Sequence, residues 1–260
     1  DISEVFGDEF SEPDPVYDGS LFHVSISGSD NNDGSIDNPF SSIQFAYDRA
    51  DEHDTILVHP GVYNDDIWFY GKNVVLGSLY LSTGDTSFIS STIIDGDSTD
   101  CTIAIYGNID STCRVTGFTI QNGIGCVYGQ GAGIYVESAS PRLDNLIIKN
   151  NIGGTNGGGI CLNGNSNSLI DKVVIKNNSA DTGGGLYSFN SNPVITNSVI
   201  QNNHSNNGAG VFLELCSPNF ENVIIADNNA ISSGGGIYCG LTSYPELNHV
   251  TISNNSASFA

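Results

Sequence analysis

One segment reads PVITNSVIQNN over residues 193–203, and variants of it recur along the chain at nearly constant spacing. In each variant an apolar triplet ends in Ile, at Ile120, Ile148, Ile175, Ile200, Ile225 and Ile252. The successive intervals are 28, 27, 25, 25 and 27 residues. Self-similarity at such a period is typical of solenoids, in which each repeat packs only against its neighbours.

Three further features recur with the same period. Asn or Asp follows these Ile residues, at Asn122, Asn150, Asn151, Asn177, Asn178, Asn202, Asn203, Asp227, Asn228, Asn254 and Asn255. Small residues then lead to an aliphatic residue, at Ile134, Ile160, Leu186, Val211 and Ile237. A Pro begins the third segment of the period, at Pro141, Pro193, Pro218 and Pro245, with Ser168 in the equivalent position.

Each period therefore holds three short β-rich runs, and none can bury its own apolar face. Stacking one coil on the next, at roughly 4.8 Å per coil, gives parallel ladders around a continuous core. The predicted fold is an all-β, three-sheet parallel β-helix with about 25 residues per coil. The Asn residues are predicted at tight bends, because Asn tolerates a left-handed backbone and stacked amides hydrogen-bond along the axis.

Residues 21–54 precede the repeats and have a different pattern. Residues 21–26 alternate like a short strand, and residues 28–35 form a turn-rich loop. Ser41 or Ser42 can cap a helix, and no other segment has a comparable helical pattern. One face of this helix is apolar, at Ile43, Ala46, Tyr47 and Ala50.

The stretch from Phe22 to Gly77 resembles the start of right-handed parallel β-helix proteins of the pectin-lyase-like superfamily. The resemblance rests on a Ser-Gly-Ser-Asp loop, on Asn38-Pro39-Phe40 and on Pro60-Gly61-Val62-Tyr63. Residues 118–260 are similar to the Gly-Gly-Ala-Ile and Phe-x-x-Asn repeats of chlamydial polymorphic outer-membrane proteins. The resemblance implies a right-handed β-helix over residues 55–260, with the helix in residues 21–54 capping its first coil.

Composition excludes several classes of protein. Gly makes up 31 of 260 residues and charged residues only 14%, which disfavours a mostly helical fold. The formal net charge of −22 makes nucleic acid and anionic membrane poor partners, and no apolar stretch is long enough to span a bilayer.

Residues 1–20 carry seven acids and no base, which predicts a flexible acidic leader. The chain starts at Asp1 and lacks Met, so we expect a processed protein that is secreted or displayed at the cell surface.

The six cysteines show no CxxC pair. Free buried thiols are one interpretation, and the best disulfide candidate is Cys101 with Cys113, which bracket a short excursion.

Two outward columns are candidates for binding. One contains aromatic residues just after the small-residue runs, at Tyr135, Tyr187, Phe212 and Tyr238, with Cys161 in the same column. This column could bind sugar rings, or it could be an aromatic ladder that only supports the sheet. The other column is apolar and would pack against another chain or domain, at Ile147, Val174, Val199, Ile224 and Thr251.

A third outward column contains acids. Asp144 and Asp171 are predicted on adjacent coils, with Arg142 on the same face. Two close carboxylates repel unless a cation or proton intervenes. Two acids that hold Ca²⁺ beside a basic residue resemble the arrangement of pectate-lyase-like enzymes, which implies proton abstraction by this set. The loop acids Asp30, Asp33 and Asp37 are a separate candidate Ca²⁺ site, because they offer hard oxygen ligands.

Two functions remain open at this point. The first is a non-enzymatic extracellular or cell-surface module that is adhesive or self-assembling, binds glycans and needs no cofactor. The coil that ends near Ala260 would then meet a further domain or a second copy. The alternative is a Ca²⁺-dependent polysaccharide lyase or glycoside hydrolase acting on an extracellular glycan. The fold alone cannot choose between them.

Overall fold

A computed structural model describes residues 20–126 and 129–259 of the chain. The chain winds as a parallel β-helix whose strands form three sheets, which we name A, B and C. Successive coils pair in parallel register, with Ile175 beside Ile200 and Ile200 beside Ile225. The repeat interval is therefore the length of one coil, and the predicted all-β solenoid is confirmed.

Sheet A is the largest of the three sheets. Its strands are Leu21–Val24, Thr55–Val58, Gly61–Tyr63, Val75–Ser78, Thr92–Asp95, Arg114–Thr116, Thr119–Gln121, Arg142–Lys149, Leu169–Lys176, Val194–Gln201, Asn219–Ala226, Glu246–Asn248 and Thr251–Ser253. The eight-residue strands bend in the middle, where Asn145, Asn197 and Asn222 have φ between 47° and 55°. Each long strand therefore presents two outer surfaces, one before and one after the bend.

Sheets B and C complete each coil. Sheet B consists of Ile67–Tyr70, Ile103–Tyr106, Ile134–Glu137, Ile160–Asn163, Leu186–Phe189, Val211–Glu214 and Ile237–Cys239. Sheet C consists of Ser179–Thr182, His204–Asn207, Asn229–Ser233 and Ser256–Phe259. A Gly with positive φ precedes sheet B in several coils, for example Gly183 at 66°, where a side chain would strain the corner.

The core is a stack of inward apolar side chains along the axis. Leu143, Ile170, Ile195 and Phe220 are all at most 1% exposed, as the alternation predicted. Leu247 occupies the same column in the last coil but is 44% exposed, because no further coil covers it in the described chain. A side chain of this inward column is therefore fully buried only when another coil stacks on each side of its own.

The Asn pairs form the corner between sheets A and C. The first member of each pair has a left-handed backbone, as Asn177 and Asn202 show with φ of 56° and 55°. The second member points inward and builds a ladder from Asn151 through Asn178, Asn203, Asn228 and Asn255. In each step the amide Nδ2 donates to the Oδ1 of the next coil, at 2.9–3.1 Å. Both predicted roles of Asn are confirmed.

Helix α1 spans Ile43–Arg49 and packs across the first coil. Ser42 is its N-cap and accepts a hydrogen bond from the Phe45 amide at 3.2 Å, so the second of the two candidate caps is the one used. Its predicted apolar face is buried against the core cluster that runs through the coils.

Two short helices were not predicted. Helix α2 (Tyr80–Thr83) and helix α3 (Ser87–Ser91) form an excursion between two strands of sheet A. Ile89 of α3 and Tyr80 of α2 pack on the outer column that contains Val174 and Val199. Part of the apolar column that was predicted to pack against another chain or domain is therefore covered by helices α2 and α3.

The Cys101–Cys113 pairing is wrong. Cys101 forms its disulfide with Cys126, and Cys113 is a buried free thiol. The two bonded residues are 25 apart, which is one coil, so coil stacking brings them side by side. Cys161 and Cys216 are also buried free thiols, as the other interpretation predicted, whereas Cys239 is free but exposed.

The predicted acidic leader, apart from Ser20, lies outside the described residues. Across the described ranges, no helix is long and apolar enough to cross a membrane.

Candidate functional site

A cleft of about 640 Å³ lies on the outer face of sheet A. Its floor is formed by side chains that precede the bend in four consecutive long strands, including those of Arg142, Asp171, Thr196 and Glu221. Tyr80 of helix α2 also lines it, and its hydroxyl donates to Asn145 Oδ1 at 3.0 Å. The helical excursion thus closes one end of a cleft that otherwise follows the stacked strands.

Asp144 and Asp171 lie directly opposite each other on adjacent strands, as predicted. Asp144, however, is completely buried. Its Oδ1 accepts from Arg114 Nε at 2.7 Å and its Oδ2 from Arg114 Nη2 at 2.8 Å. Arg142 Nε and the Thr116 hydroxyl also donate to this carboxylate, at 3.0 and 2.8 Å. Its oxygens are therefore occupied by the protein.

These contacts hold Asp144 in its charged form. Burial by itself raises the pKa of Asp144, but the hydrogen bonds and charge of Arg114, together with Arg142 and Thr116, outweigh it and hold that pKa below its ordinary value. A carboxylate with a lowered pKa and no free face is a weak proton acceptor. In this arrangement Asp144 positions two arginines, and its part in catalysis stays a prediction.

Asp171 is half-buried and faces the cleft. Its Oδ1 accepts from the Thr196 hydroxyl at 2.6 Å and from Asn197 Nδ2 at 2.8 Å. Glu221 continues the same column one coil beyond Thr196 and is exposed. The cleft therefore contains two accessible carboxylates separated by two coils.

Arg142 is the cation that Asp144 orients toward the cleft. Its side chain is 30% exposed, and only its Nε is bonded, to Asp144. Its two terminal nitrogens make no hydrogen bond within the described part of the chain. Because the guanidinium is planar and held at one edge, the remaining donors form a fixed fork that matches a carboxylate or sulfate.

Lys172 occupies an unusual backbone position in the same cleft. Its φ is 52°, at the bend where Asn145, Asn197 and Asn222 stand in the neighbouring coils. Asn tolerates this region far better than Lys does, so the coil of Lys172 departs from the Asn rule, as does the last coil, where His249 has φ of 53°. Backbone strain of this kind is common at functional sites.

Cations are concentrated on this outer face. The chain has seven Lys and Arg residues in all. Five of them lie on the outer face of sheet A within three consecutive coils, at Arg114, Arg142, Lys149, Lys172 and Lys176. We call these five residues the basic face. The same strands carry only two acids, Asp144 and Asp171, so the cations exceed the acids there in a chain whose net charge is −22.

The aromatic column exists, but it is mostly closed. Tyr135, Cys161, Tyr187, Phe212 and Tyr238 lie on successive coils in one register. Tyr135 is only 2% exposed, and burial raises its pKa to about 12. The rings of Tyr187, Phe212 and Tyr238 stack on each other at 5.5 and 4.7 Å. This arrangement is typical of a supporting ladder, and a ligand role for these residues stays a prediction.

The three loop acids do not converge in the structure. Asp30 Oδ1 accepts from the Ser41 and Ser42 amides, which fixes the start of helix α1. Asp33 Oδ1 accepts from the Ser35 amide in a local turn. Among the described residues, the one group of three side chains close enough to share a metal is Asp100 with Cys101 and Cys126, and its cysteines form the disulfide. Calcium in the loop stays a prediction.

Sequence reasoning missed one close contact between titratable groups. His23 Nδ1 and His59 Nε2 lie 3.1 Å apart in the first coils. Burial lowers the pKa of both rings, and the neighbouring imidazole lowers that of His23 further. The two residues are 36 positions apart and carry no spacing signal that would have joined them.

Solved structures of similar shape share little sequence with this chain. Pectin methylesterase PemA from Erwinia chrysanthemi is 14% identical, with 87% of this chain and 81% of that chain covered and a TM-score of 0.45. Pectate lyase Pel9A is 12% identical, with 99% and 81% covered and a TM-score of 0.45. A GH136 lacto-N-biosidase from Eubacterium ramulus is 11% identical, with 93% and 68% covered and a TM-score of 0.44. At these values the likenesses say nothing about activity.

No curated protein matches the chain at a significant level. The similarity to chlamydial polymorphic outer-membrane proteins stays a prediction. A family model described as "Right handed beta helix region" matches residues 77–258, which is more than half of the chain. Together with the three parallel sheets and the one-coil register, this match shows that the chain belongs to the right-handed β-helix family.

Proposed function

We propose that this protein is a secreted or cell-surface β-helix that binds acidic oligosaccharides in the cleft on sheet A. The observation that carries the proposal is Arg142, a guanidinium oriented by a buried carboxylate with its free donors at the cleft. Binding needs no catalytic group and no cofactor, and it is compatible with an adhesive module. Adhesion and self-assembly themselves find no separate support in the contacts of the described residues.

The lining supplies what an acidic sugar requires. Arg142 and Lys172 are cations for a carboxylate or sulfate group. Asp171, Asn197 and Asn222 offer polar atoms for ring hydroxyls. Leu169 and Val194 add apolar surface for the C–H faces of a sugar ring. The acidic remainder of the surface repels polymers as densely charged as nucleic acid, so the proposed ligand is a short oligosaccharide with about one acidic group per sugar residue.

Replacing Arg142 with Gln is expected to weaken binding of oligogalacturonates by about tenfold to a hundredfold, the usual effect of losing a charge-assisted hydrogen-bonded pair. Lys172→Asn should also weaken binding while relaxing the backbone, because Asn is the residue of the neighbouring coils. Isothermal titration calorimetry with size-defined oligogalacturonates and sulfated oligosaccharides measures both effects.

Asn31→Asp is the matched control. It also makes the net charge more negative by one, but Asn31 is exposed in the loop between the first strand and α1. Its affinity should equal that of the unaltered chain. Equal affinity for neutral cello-oligosaccharides, or full binding by the Arg142→Gln and Lys172→Asn double variant, would refute the proposal.

A second candidate is hydrolysis of the bound glycan, which the two accessible carboxylates favour. Asp171 and Glu221 stand two strand spacings apart, roughly 9.6 Å on the sheet. Inverting glycosidases separate their carboxyls by about 6.5–9.5 Å so that a water fits between. Asp171 would take a proton from that water as it attacks the anomeric carbon. Glu221 would give its proton to the departing glycosidic oxygen.

If the chain is such a hydrolase, Asp171→Asn and Glu221→Gln should each lower the rate by at least about a hundredfold, the usual contribution of a general acid or base. The measurement is release of reducing ends from oligogalacturonates and sulfated oligosaccharides, with the product anomer assigned by NMR. Binding without any release of reducing ends eliminates this candidate and leaves the binding function intact. Hydrolysis that survives both variants assigns the chemistry to other residues.

A further inference from the structure

Lys149 and Lys176 are directly opposite each other on adjacent strands of sheet A. They lie beyond the bend, outside the cleft, and both are half-buried. Neither ammonium takes part in a salt bridge or a hydrogen bond with a residue of the described ranges. Two like charges in directly opposed positions of a sheet are unfavourable.

The coil of Lys149 and the coil before it show how the protein neutralises such a pair elsewhere. Arg114 and Arg142 are also directly opposed, and the Asp144 carboxylate binds both. The column of Lys149 and Lys176 contains no such acid beside them, because the adjoining coils place Gln121 and Gln201 there. The nearest acid in this column is Asp95, and Gln121 Nε2 binds its Oδ2 at 2.8 Å. The lysine pair thus lacks the internal counter-ion that the arginine pair has.

We propose that the Lys149–Lys176 pair binds a second anionic group of the ligand, an inference that rests on the proposed acidic-oligosaccharide function. Lys172 in the cleft and Lys176 belong to one strand and are four residues apart, which is at most about 13 Å along the backbone. The ligand therefore runs along the strand, across the helix axis, and carries acidic groups on more than one sugar residue.

The helical excursion lies between the two subsites. Val174 points outward between Lys172 and Lys176, with Val199 beside it on the next coil. The two valines are only 9% and 4% exposed, because Ile89 of helix α3 packs on them. A ligand that reaches both subsites therefore passes over helix α3 and does not touch the valines.

The test combines ligand length with three double variants. Affinity for oligogalacturonates from the dimer to the octamer is measured by calorimetry for the unaltered chain, Lys149→Gln/Lys176→Gln, Arg142→Gln/Lys172→Asn and Asn31→Asp/Asn38→Asp. The last variant carries the same net charge as the lysine variant, and both of its positions are exposed in the N-terminal loop. Affinity of the unaltered chain should rise about tenfold or more once the oligomer reaches both subsites.

In the lysine variant this rise should disappear, while affinity for the shortest oligomers stays unchanged. Its melting temperature without ligand should equal or exceed that of the unaltered chain, because a like-charge pair has been removed. A lower melting temperature would indicate a structural role for the two lysines and would overturn the inference.

The inference is also wrong if the lysine variant keeps the length-dependent rise in affinity while the Arg142 and Lys172 variant loses affinity. If the unaltered chain binds no oligomer, the proposed function itself fails. A loss shared by the Asn31 and Asn38 variant would assign the effect to net charge and likewise overturn the inference.

Discussion

Replacing Asp144 with Asn is expected to lower the free energy of unfolding by about 3–5 kcal/mol, the usual result of removing one partner from a buried ion pair. Arg114 is 3% exposed and would lose the carboxylate that accepts from its Nε and Nη2. The two neighbouring coils would also lose this side-chain link, because Arg114 and Asp144 belong to different coils. Urea unfolding followed by circular dichroism measures the loss.

Asp171→Asn is the control for this change. It removes the same charge at the directly opposed position of the next strand, but Asp171 is half-buried and contacts only neutral donors. The cost there should stay below about 1 kcal/mol. Equal losses in the two variants would mean that the arginine contacts contribute nothing, and would contradict the assignment of Asp144 as the charged centre of the coil.

The cost of Asp144→Asn has an expected pH dependence. The folded-state pKa of Asp144 lies below its ordinary value of 3.8, so its contribution is fully present above that value. The contribution is lost as the pH falls through the lower, folded-state pKa. The difference in unfolding free energy between the unaltered chain and Asp144→Asn should therefore be constant near neutral pH and shrink in strong acid.

Replacing Asn203 with Ala should cost about 3 kcal/mol, because several buried polar groups lose partners at once. The Asn203 Oδ1 accepts from the Asn178 amide and side chain, at 3.0 and 3.1 Å. Its Nδ2 donates to the Ile175 carbonyl and to Asn228 Oδ1, at 3.1 and 3.0 Å. Asn203 is only 1% exposed, so hydrogen bonds to solvent do not replace the ones that are lost. Urea unfolding gives the total, and hydrogen exchange at Asn178 gives the local effect.

Asn202→Gly tests the other half of the Asn pair. Asn202 is exposed with φ of 55°, and Gly adopts this backbone freely. Its cost should be a few tenths of a kcal/mol at most. If Asn202→Gly destabilises the protein as much as Asn203→Ala does, the residue that holds the corner backbone contributes as much to stability as the hydrogen bonds of the ladder do.

Most of the coil architecture could be predicted because its determinants are local and repeat. The Ile positions, the Asn pairs and the glycine corners occur at one spacing, and each has a conformational reason. Helices α2 and α3 could not be predicted, since residues 79–91 occur once and show no apolar period. The disulfide was missed for a different reason. Cys101 and Cys126 are separated by the length of one coil, which was the relevant signal. Cys113 was chosen as the partner of Cys101 because it lies closer along the chain.

The cleft was predicted only in part. Coil spacing alone brought Asp144 and Asp171 together. It did not show that Asp144 is buried, because the arginine that covers it comes from the preceding coil, 30 residues away. The signal for Lys172 was present in the sequence, as the one Lys in a column otherwise occupied by Asn145, Asn197, Asn222 and His249.

The links between coils are unevenly distributed, and this has a mechanical consequence. The Asn ladder begins where Asn151 accepts from the Gly123 amide and continues to Asn255. The covalent Cys101–Cys126 link overlaps the start of that ladder. Under tension applied from the N-terminal side, the coils before Cys101 would unwind one by one, whereas the residues between Cys101 and Cys126 would stay looped and could not extend. A thiol reductant would release that loop, so the length of chain that extends under force depends on the redox state of the surroundings.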